Sequence, residues 1–192
     1  MATFRTSLNS FYTLDTLLQL VNSNFYVAVA KDTPWSEIDG YEVNEENPPF
    51  PSFNLPELLD IKLYKLPYFK TVAVDSQCGV EFDSCGESLG EGTKLTLINL
   101  ETTSLETLKA ISPNYFYMRV CIEEDDLTFA NIESFRALGL YRDTTFNVNT
   151  NIRYLPNNVL SQGLLHWTAY FTPIFKDTLV NKQSVFEIII KG

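Results

Sequence analysis

Histidine is almost missing from this sequence. Its one copy, His166, would have to carry any Ser-His-Asp or Cys-His mechanism. Strand alternation places it on a face with Leu164, Thr168 and Tyr170, where a histidine is ordinarily packed or hydrogen-bonded rather than catalytic. Cysteine is scarce and odd in number: Cys78, Cys85 and Cys121 suit free thiols in a reducing compartment. A Cys78 to Cys85 bridge is the oxidised alternative. With one histidine these cysteines match no compact zinc-ligand spacing, and no metal or other cofactor is expected. Basic residues are outnumbered, 14 against 24 acidic for a net charge of −10, which argues against nucleic acid as a partner because phosphate binding draws on lysine and arginine. No apolar run approaches the roughly 18 residues of a membrane span; the longest candidate, Leu14 to Val21, is broken by Asp15, Thr16 and Gln19. The N-terminus lacks the basic region, apolar segment and small-residue cleavage site of a secretory signal, so the expectation is a soluble chain that is not secreted by that route.

Two stretches resemble chemical motifs and fall short of them. Glu123-Glu124-Asp125-Asp126 offers carboxylates for a hard cation or for glycoside hydrolysis. Four consecutive acids on an extended chain cannot converge on one point, however, so the run reads as a solvated turn after a strand. Gly86 to Lys94 is glycine-rich, but Thr93 precedes Lys94, a strand follows, and Glu87 and Glu91 would repel phosphate. It reads as a surface turn.

What is plentiful is aromatic and apolar surface. Hydrophobic residues make up 45% of the chain and aromatics 14%, a composition that favours strands over a helical bundle. One domain over residues 1–192 is the expectation, large enough to bury roughly 70% of its unfolded surface. A helix is predicted from Ser10 to Val21, with Phe11, Leu14, Leu18 and Val21 as its core stripe. Strands are predicted from Asn24, at Ile61 to Leu66, Tyr68 to Val74, Thr93 to Leu100, Tyr115 to Ile122, Phe135 to Tyr141, Leu164 to Thr172 and Ser184 to Lys191, and a short helix at Ser104 to Ala110. The last two strands are joined by Pro173 to Gln183, a connection that permits them to pair as an antiparallel hairpin. With no βαβ alternation, the fold class is mostly β (α+β with a minor helix): an antiparallel, sandwich-like core with one N-terminal helix and long loops.

The rest is organised around Asn24 to Pro51. Phe25, Val27 and Val29 alternate with Tyr26, Ala28 and Ala30, which predicts a strand covered on both faces. Pro34 stops it, and Pro48, Pro49 and Pro51 hold the far end extended. The connection between is long, and loops beyond about 15 residues are usually functional or disordered. Trp35, Tyr41, Phe50 and Phe53 are too apolar to be left solvated together, so the loop should lie on its own sheet or on a neighbouring subunit. Pro34, Trp35, Tyr41, Pro48, Pro49, Phe50 and Pro51 are therefore the candidate interface loop.

An N-terminal helix, the strand F-Y-V-A-V-A-K, the turn T-P-W and a following P-P-x-P resemble the start of the baseplate wedge subunit family of contractile-tailed bacteriophages. The second half adds to this. Phe135-Arg136-Ala137-Leu138-Gly139-Leu140 is similar to that family's short strand. Gly163-Leu164-Leu165-His166-Trp167, then Pro173-Ile174 and Val185-Phe186-Glu187-Ile188, are similar to its closing segments. Residues 52–130 are compact where longer members carry an insertion, so the chain resembles a short version. The resemblance implies a non-enzymatic structural subunit of the virion baseplate, assembled in the host cytoplasm. It would pair with itself as a dimer and bind other baseplate wedge subunits, without cofactor or membrane. The alternatives are a receptor- or carbohydrate-binding β-sandwich of the tail tip, using exposed Trp35 and Tyr41 as stacking platforms, and a cell-wall hydrolase using two carboxylates.

Overall fold

A computed structural model of the protein describes residues 4–8, 14–36, 43–51, 58, 60–75, 95–148, 152–176 and 183–191. The chain is mostly β, with antiparallel sheets and an N-terminal helix. Its strands and helices, in order, are β1 (Phe4–Leu8), α1 (Leu14–Asn22), β2 (Phe25–Ala30), β3 (Ile61–Lys65), β4 (Phe69–Asp75), β5 (Leu95–Ile98), α2 (Leu105–Ile111), β6 (Tyr115–Glu123), α3 (Glu124–Phe129), β7 (Ser134–Arg142), β8 (Thr145–Phe146), β9 (Arg153–Tyr154), β10 (Val159–Ser161), β11 (Leu164–Phe175) and β12 (Gln183–Lys191). The strands exceed the predicted set by β1, β8, β9 and β10, all of five residues or fewer, too short for alternation to register. The chain gathers into two compact units: Met1–Asn9, Asn24–Pro67 and Val120–Val185 form the first, and Ser10–Ser23, Tyr68–Arg119 and Phe186–Gly192 the second.

The first unit is built on a six-stranded sheet in the order β1-β11-β7-β2-β3-β9. β2 is antiparallel to both β7 and β3, and five of its six residues are buried, so cover on both faces holds. It ends earlier than Pro34: Lys31, at φ 62, turns into the left-handed region and takes the chain out of the sheet. β7 runs through the middle with eight of its nine residues buried. Gly139 belongs there because a Cβ at that position would meet Leu58 Cδ1 at 2.4 Å, so Leu58 seats directly over the backbone. One face collects Ala28, Ala30, Tyr64, Ala137, Tyr141, Tyr154 and Tyr170 with Trp35 and Leu58.

β11 departs from simple pairing twice. Leu165 faces Tyr141 and Trp167 faces Leu140, which leaves His166 as an extra residue. Tyr170 faces Ala137 but Ile174 faces Phe135, so Phe171, Thr172 and Pro173 all stand opposite Arg136. Proline, with no N–H for the ladder, is tolerated in a strand at such a bulge. The first bulge also resets alternation: Leu165 and Tyr170 join one cluster although their positions differ by an odd number, which regular alternation would put on opposite faces. His166 consequently does not share a regular face with Thr168 and Tyr170.

The second unit carries a four-stranded sheet in the order β12-β6-β4-β5. β6 is internal, and within this unit its Phe116 and Met118 are buried. The expected hairpin of β11 with β12 does not form. β11 is flanked by β1 on one side and β7 on the other, so it has no edge left, and β12 pairs in the other sheet. In α1 the fully buried residues are Leu17 and Leu20, while Leu18 and Val21 are half-buried; Ser10 and Phe11 lie outside the described residues. The Lys70 ammonium donates to the Ser23 carbonyl that follows α1, and burial lowers its pKa from the ordinary lysine value. α2 starts at Ser104, whose Oγ accepts from the Thr107 N–H at 3.2 Å, and stops at Ser112 in the left-handed region just before Pro113.

Candidate interface loop

After Lys31 the chain folds back over the broad bulge of β11. The Lys31 N–H donates to the Asp60 carbonyl at 3.1 Å, its ammonium donates to Thr33 Oγ1 at 3.0 Å, and the same cation stands 5.5 Å from the Trp35 ring centroid. Trp35 is only 6% exposed. Its ring leans on Tyr170 with centroids 5.1 Å apart, and its indole N–H donates to the Phe171 carbonyl at 3.2 Å. That carbonyl lies in the bulge, where the one-to-one register with β7 has lapsed. Trp35 thus donates to a buried strand from a position 136 residues away in sequence.

Arg136, opposite the bulge, closes the arrangement. Its guanidinium donates through Nε to both carboxylate oxygens of Glu45, at 3.1 and 2.8 Å. Through one terminal nitrogen it donates to the Asp32 carbonyl at 2.8 Å and to Ser134 Oγ at 2.9 Å. Glu45 also accepts from the Trp35 backbone N–H at 2.7 Å. One carboxylate therefore ties together the start of the loop, its return and the sheet. The return is set by Asn44, whose side-chain oxygen accepts from the N–H groups of Glu46 and Asn47, both at 2.9 Å, a local turn typical of asparagine. Pro48, Pro49 and Pro51 follow as buried residues, and Phe50 between them is 75% exposed. Pro34 is exposed. Tyr41 and Phe53 lie outside the described residues. Of the aromatics assigned to this loop, then, Trp35 faces its own sheet and Phe50 faces solvent.

The remaining candidates within the described residues are packed into the fold. His166 is buried, with its ring edge-on to Phe25 at 5.7 Å. Burial, and next the nearby Arg142, push its pKa down to about 4 against a smaller opposing pull from Asp143. It is therefore neutral at neutral pH. Glu123 to Asp126 is not a solvated turn. It ends β6 and opens α3, where Asp126 is fully buried. Asp126 accepts from the Glu123 N–H at 2.7 Å and from Lys65, and it forms an ion pair with Arg153, whose Nε stands 2.8 Å away. A carboxylate at the N3 position of a helix that reaches back to the preceding N–H is a capping arrangement, and two cations offset its burial. Among the described residues no group of three or more His, Cys, Asp and Glu converges as a metal ion would require. Cys121 is buried with a free thiol; Cys78, Cys85 and the Gly86 to Lys94 turn lie outside the described residues.

The residues that sequence reasoning missed are Arg136, as the anchor of Glu45, and Lys65 with Arg153. Arg136 carried a readable signal: a cation in the middle of an apolar strand demands a buried acceptor. No family model matches the chain, and no curated protein matches it.

Proposed function

We propose that the protein is a structural subunit of a phage contractile-tail baseplate, building the wedge through protein–protein contacts with other wedge subunits and with a second copy of itself. The order of segments described above, from the opening strand and proline loop to the closing strands, is what suggests the family. The observation that carries the reading in three dimensions is the loop. Its base is locked by Trp35, Arg136 and Glu45, while Phe50 is held out at 75% exposure between buried prolines. An aromatic exposed between buried prolines offers apolar surface that suits an interface anchor. The rival use of Trp35 as an exposed sugar-stacking platform is disfavoured by its burial at 6% exposure.

The test is location and company. Antibody to the protein should label the baseplate of intact virions, and the tagged chain should co-purify with other wedge subunits from infected cells. Phe50→Ala should lower that co-purification while leaving the fold intact. Labelling confined to the capsid would overturn the assignment.

A further inference from the structure

Lys65 and Asp126 bring an amine and a carboxyl group together in the interior of the first unit. Lys65 closes β3, where its backbone pairs with Val27 of β2 on one side and with Arg153 of β9 on the other. Asp126 lies in the first turn of α3, and its side chain is fixed there by the Glu123 N–H, which donates to Oδ2 at 2.7 Å. The Lys65 ammonium donates to that same oxygen. The second carboxylate oxygen, Oδ1, has Arg153 Nε 2.8 Å away. With the Lys65 and Asp126 side chains only 7% and 0% exposed, the pair keeps two charges out of water, at a cost that their mutual attraction does not always repay. An amide between them removes both charges.

We infer that Lys65 and Asp126 condense into an intramolecular isopeptide bond. The ammonium passes one proton to Oδ2, and the neutral Nζ then attacks Cγ, forming the C–N bond and moving an electron pair onto Oδ1, where the Arg153 guanidinium stabilises the charge. A second proton goes from the nitrogen to Oδ2, the Cγ–Oδ2 bond breaks, and that oxygen leaves as water. Oδ1 remains as the amide carbonyl. Nothing is oxidised or reduced, so the bond, unlike a disulfide, needs no oxidising compartment. Two groups seated on a paired strand and a capped helix react as an intramolecular pair, with the entropy of bringing them together already spent in folding. Charge stays balanced as well. Lys65 and Arg153 face Asp126 and Glu123 before the reaction, and afterwards Arg153 retains Glu123, whose Oε2 lies 3.9 Å from its terminal nitrogen. The bond ties β3 to the start of α3 across 61 positions of sequence, and a cross-link over so long a loop restrains the unfolded chain.

The bond stands or falls apart from the baseplate assignment, and it is tested by mass spectrometry on the purified full chain, incubated folded and then denatured. The intact mass should fall short of the sequence mass by one water, after allowance for the initiator methionine. A tryptic digest should hold a branched peptide joining Lys65 to Asp126, uncleaved after Lys65. Lys65→Arg keeps a cation for Asp126 but offers no amine to acylate, so it should show the full mass and unfold at a lower denaturant concentration than the wild type. The wild type carries the primary readout alone, so the test survives a variant that fails to fold. A wild type at full mass would overturn the proposal. Loss of water with Lys65 free in the digest would overturn it too, since that marks a cyclic imide at an aspartate instead. An uncross-linked chain in labelled baseplates would remove the bond and leave the baseplate function, whereas a cross-linked chain absent from baseplates would do the reverse.

Discussion

The two bulges of β11 are closed in opposite ways. At His166 the extra residue fills its own irregularity: the imidazole turns inward against Phe25, and the neighbours that tune it, Arg142 and Asp143, are at the adjacent end of β7. At Phe171 to Pro173 the strand supplies the buried Phe171 ring, edge-on to Phe135, but the side that faces the loop is met from outside. The gap is closed by Trp35 and Glu45, carried in by a loop, and by Arg136 reaching out to meet them. A bulge closed from within needs only local sequence and inherits the chemistry of its own side chain. A bulge closed from outside makes the sheet and the residues that close it, Trp35 and Glu45, depend on each other.

The largest effect is expected from removing the external plug. Trp35→Ala takes away a buried ring and the donor to the Phe171 carbonyl, and should cost about 3 kcal/mol or more of unfolding free energy by denaturant titration. Trp35→Phe, which keeps most of the apolar contact, should recover more than half of that loss. If Trp35→Ala is nearly neutral for the isolated chain yet abolishes assembly, the indole serves a neighbour and the bulge is closed by something else.

The internal plug should reveal itself through pH. The His166 pKa is pushed down to about 4 in the folded chain, against about 6.5 in an unfolded one. As pH falls below 6.5 the unfolded chain takes up a proton first. The stability contributed by the neutral, buried ring is therefore complete above that value and is lost as pH drops toward 4. Between pH 7 and pH 5 the loss should be about 1 to 2 kcal/mol. His166→Phe, which cannot titrate, should remove that part of the slope while carboxylate titrations common to both proteins cancel. Identical slopes for the two proteins would show that the imidazole is not the source.

The same contrast explains what was legible in the sequence. β2, β6 and α2 could be read because their signals are local: alternating aromatics and β-branched residues in the strands, Ser104 before the helix and Pro113 after it. β7 was harder, since a strand buried on both faces loses its alternation and Gly139 and Arg136 interrupt what remains. The bulges left no trace, because an extra residue exists only relative to the partner strand. Pairing β11 with β12 failed for the same reason: proximity in sequence says nothing of β1 occupying the edge that the hairpin would need. In the candidate loop, Trp35 and the prolines announced themselves by composition. Glu45 was one acid among many, and only the buried guanidinium of Arg136 singles it out. Asp126 was hidden inside a charge run, although its spacing from Glu123 is that of a helix cap.

The smallest effect is expected where charge alone is removed from the external plug. Glu45→Gln keeps an oxygen able to accept from the Trp35 N–H but discards the ionic part of the pair with Arg136. Glu45 is 36% exposed whereas Arg136 is 5% exposed, so solvent already screens the acid. The buried guanidinium, for its part, keeps the Asp32 carbonyl and Ser134 Oγ as acceptors. Nothing is orphaned, and the loss should stay below about 1 kcal/mol. Added salt should narrow the gap between wild type and variant further, since only the wild type has this charge pair to screen. A loss larger than that of Trp35→Ala would invert the ranking and make the carboxylate, rather than the indole, the group that closes the bulge.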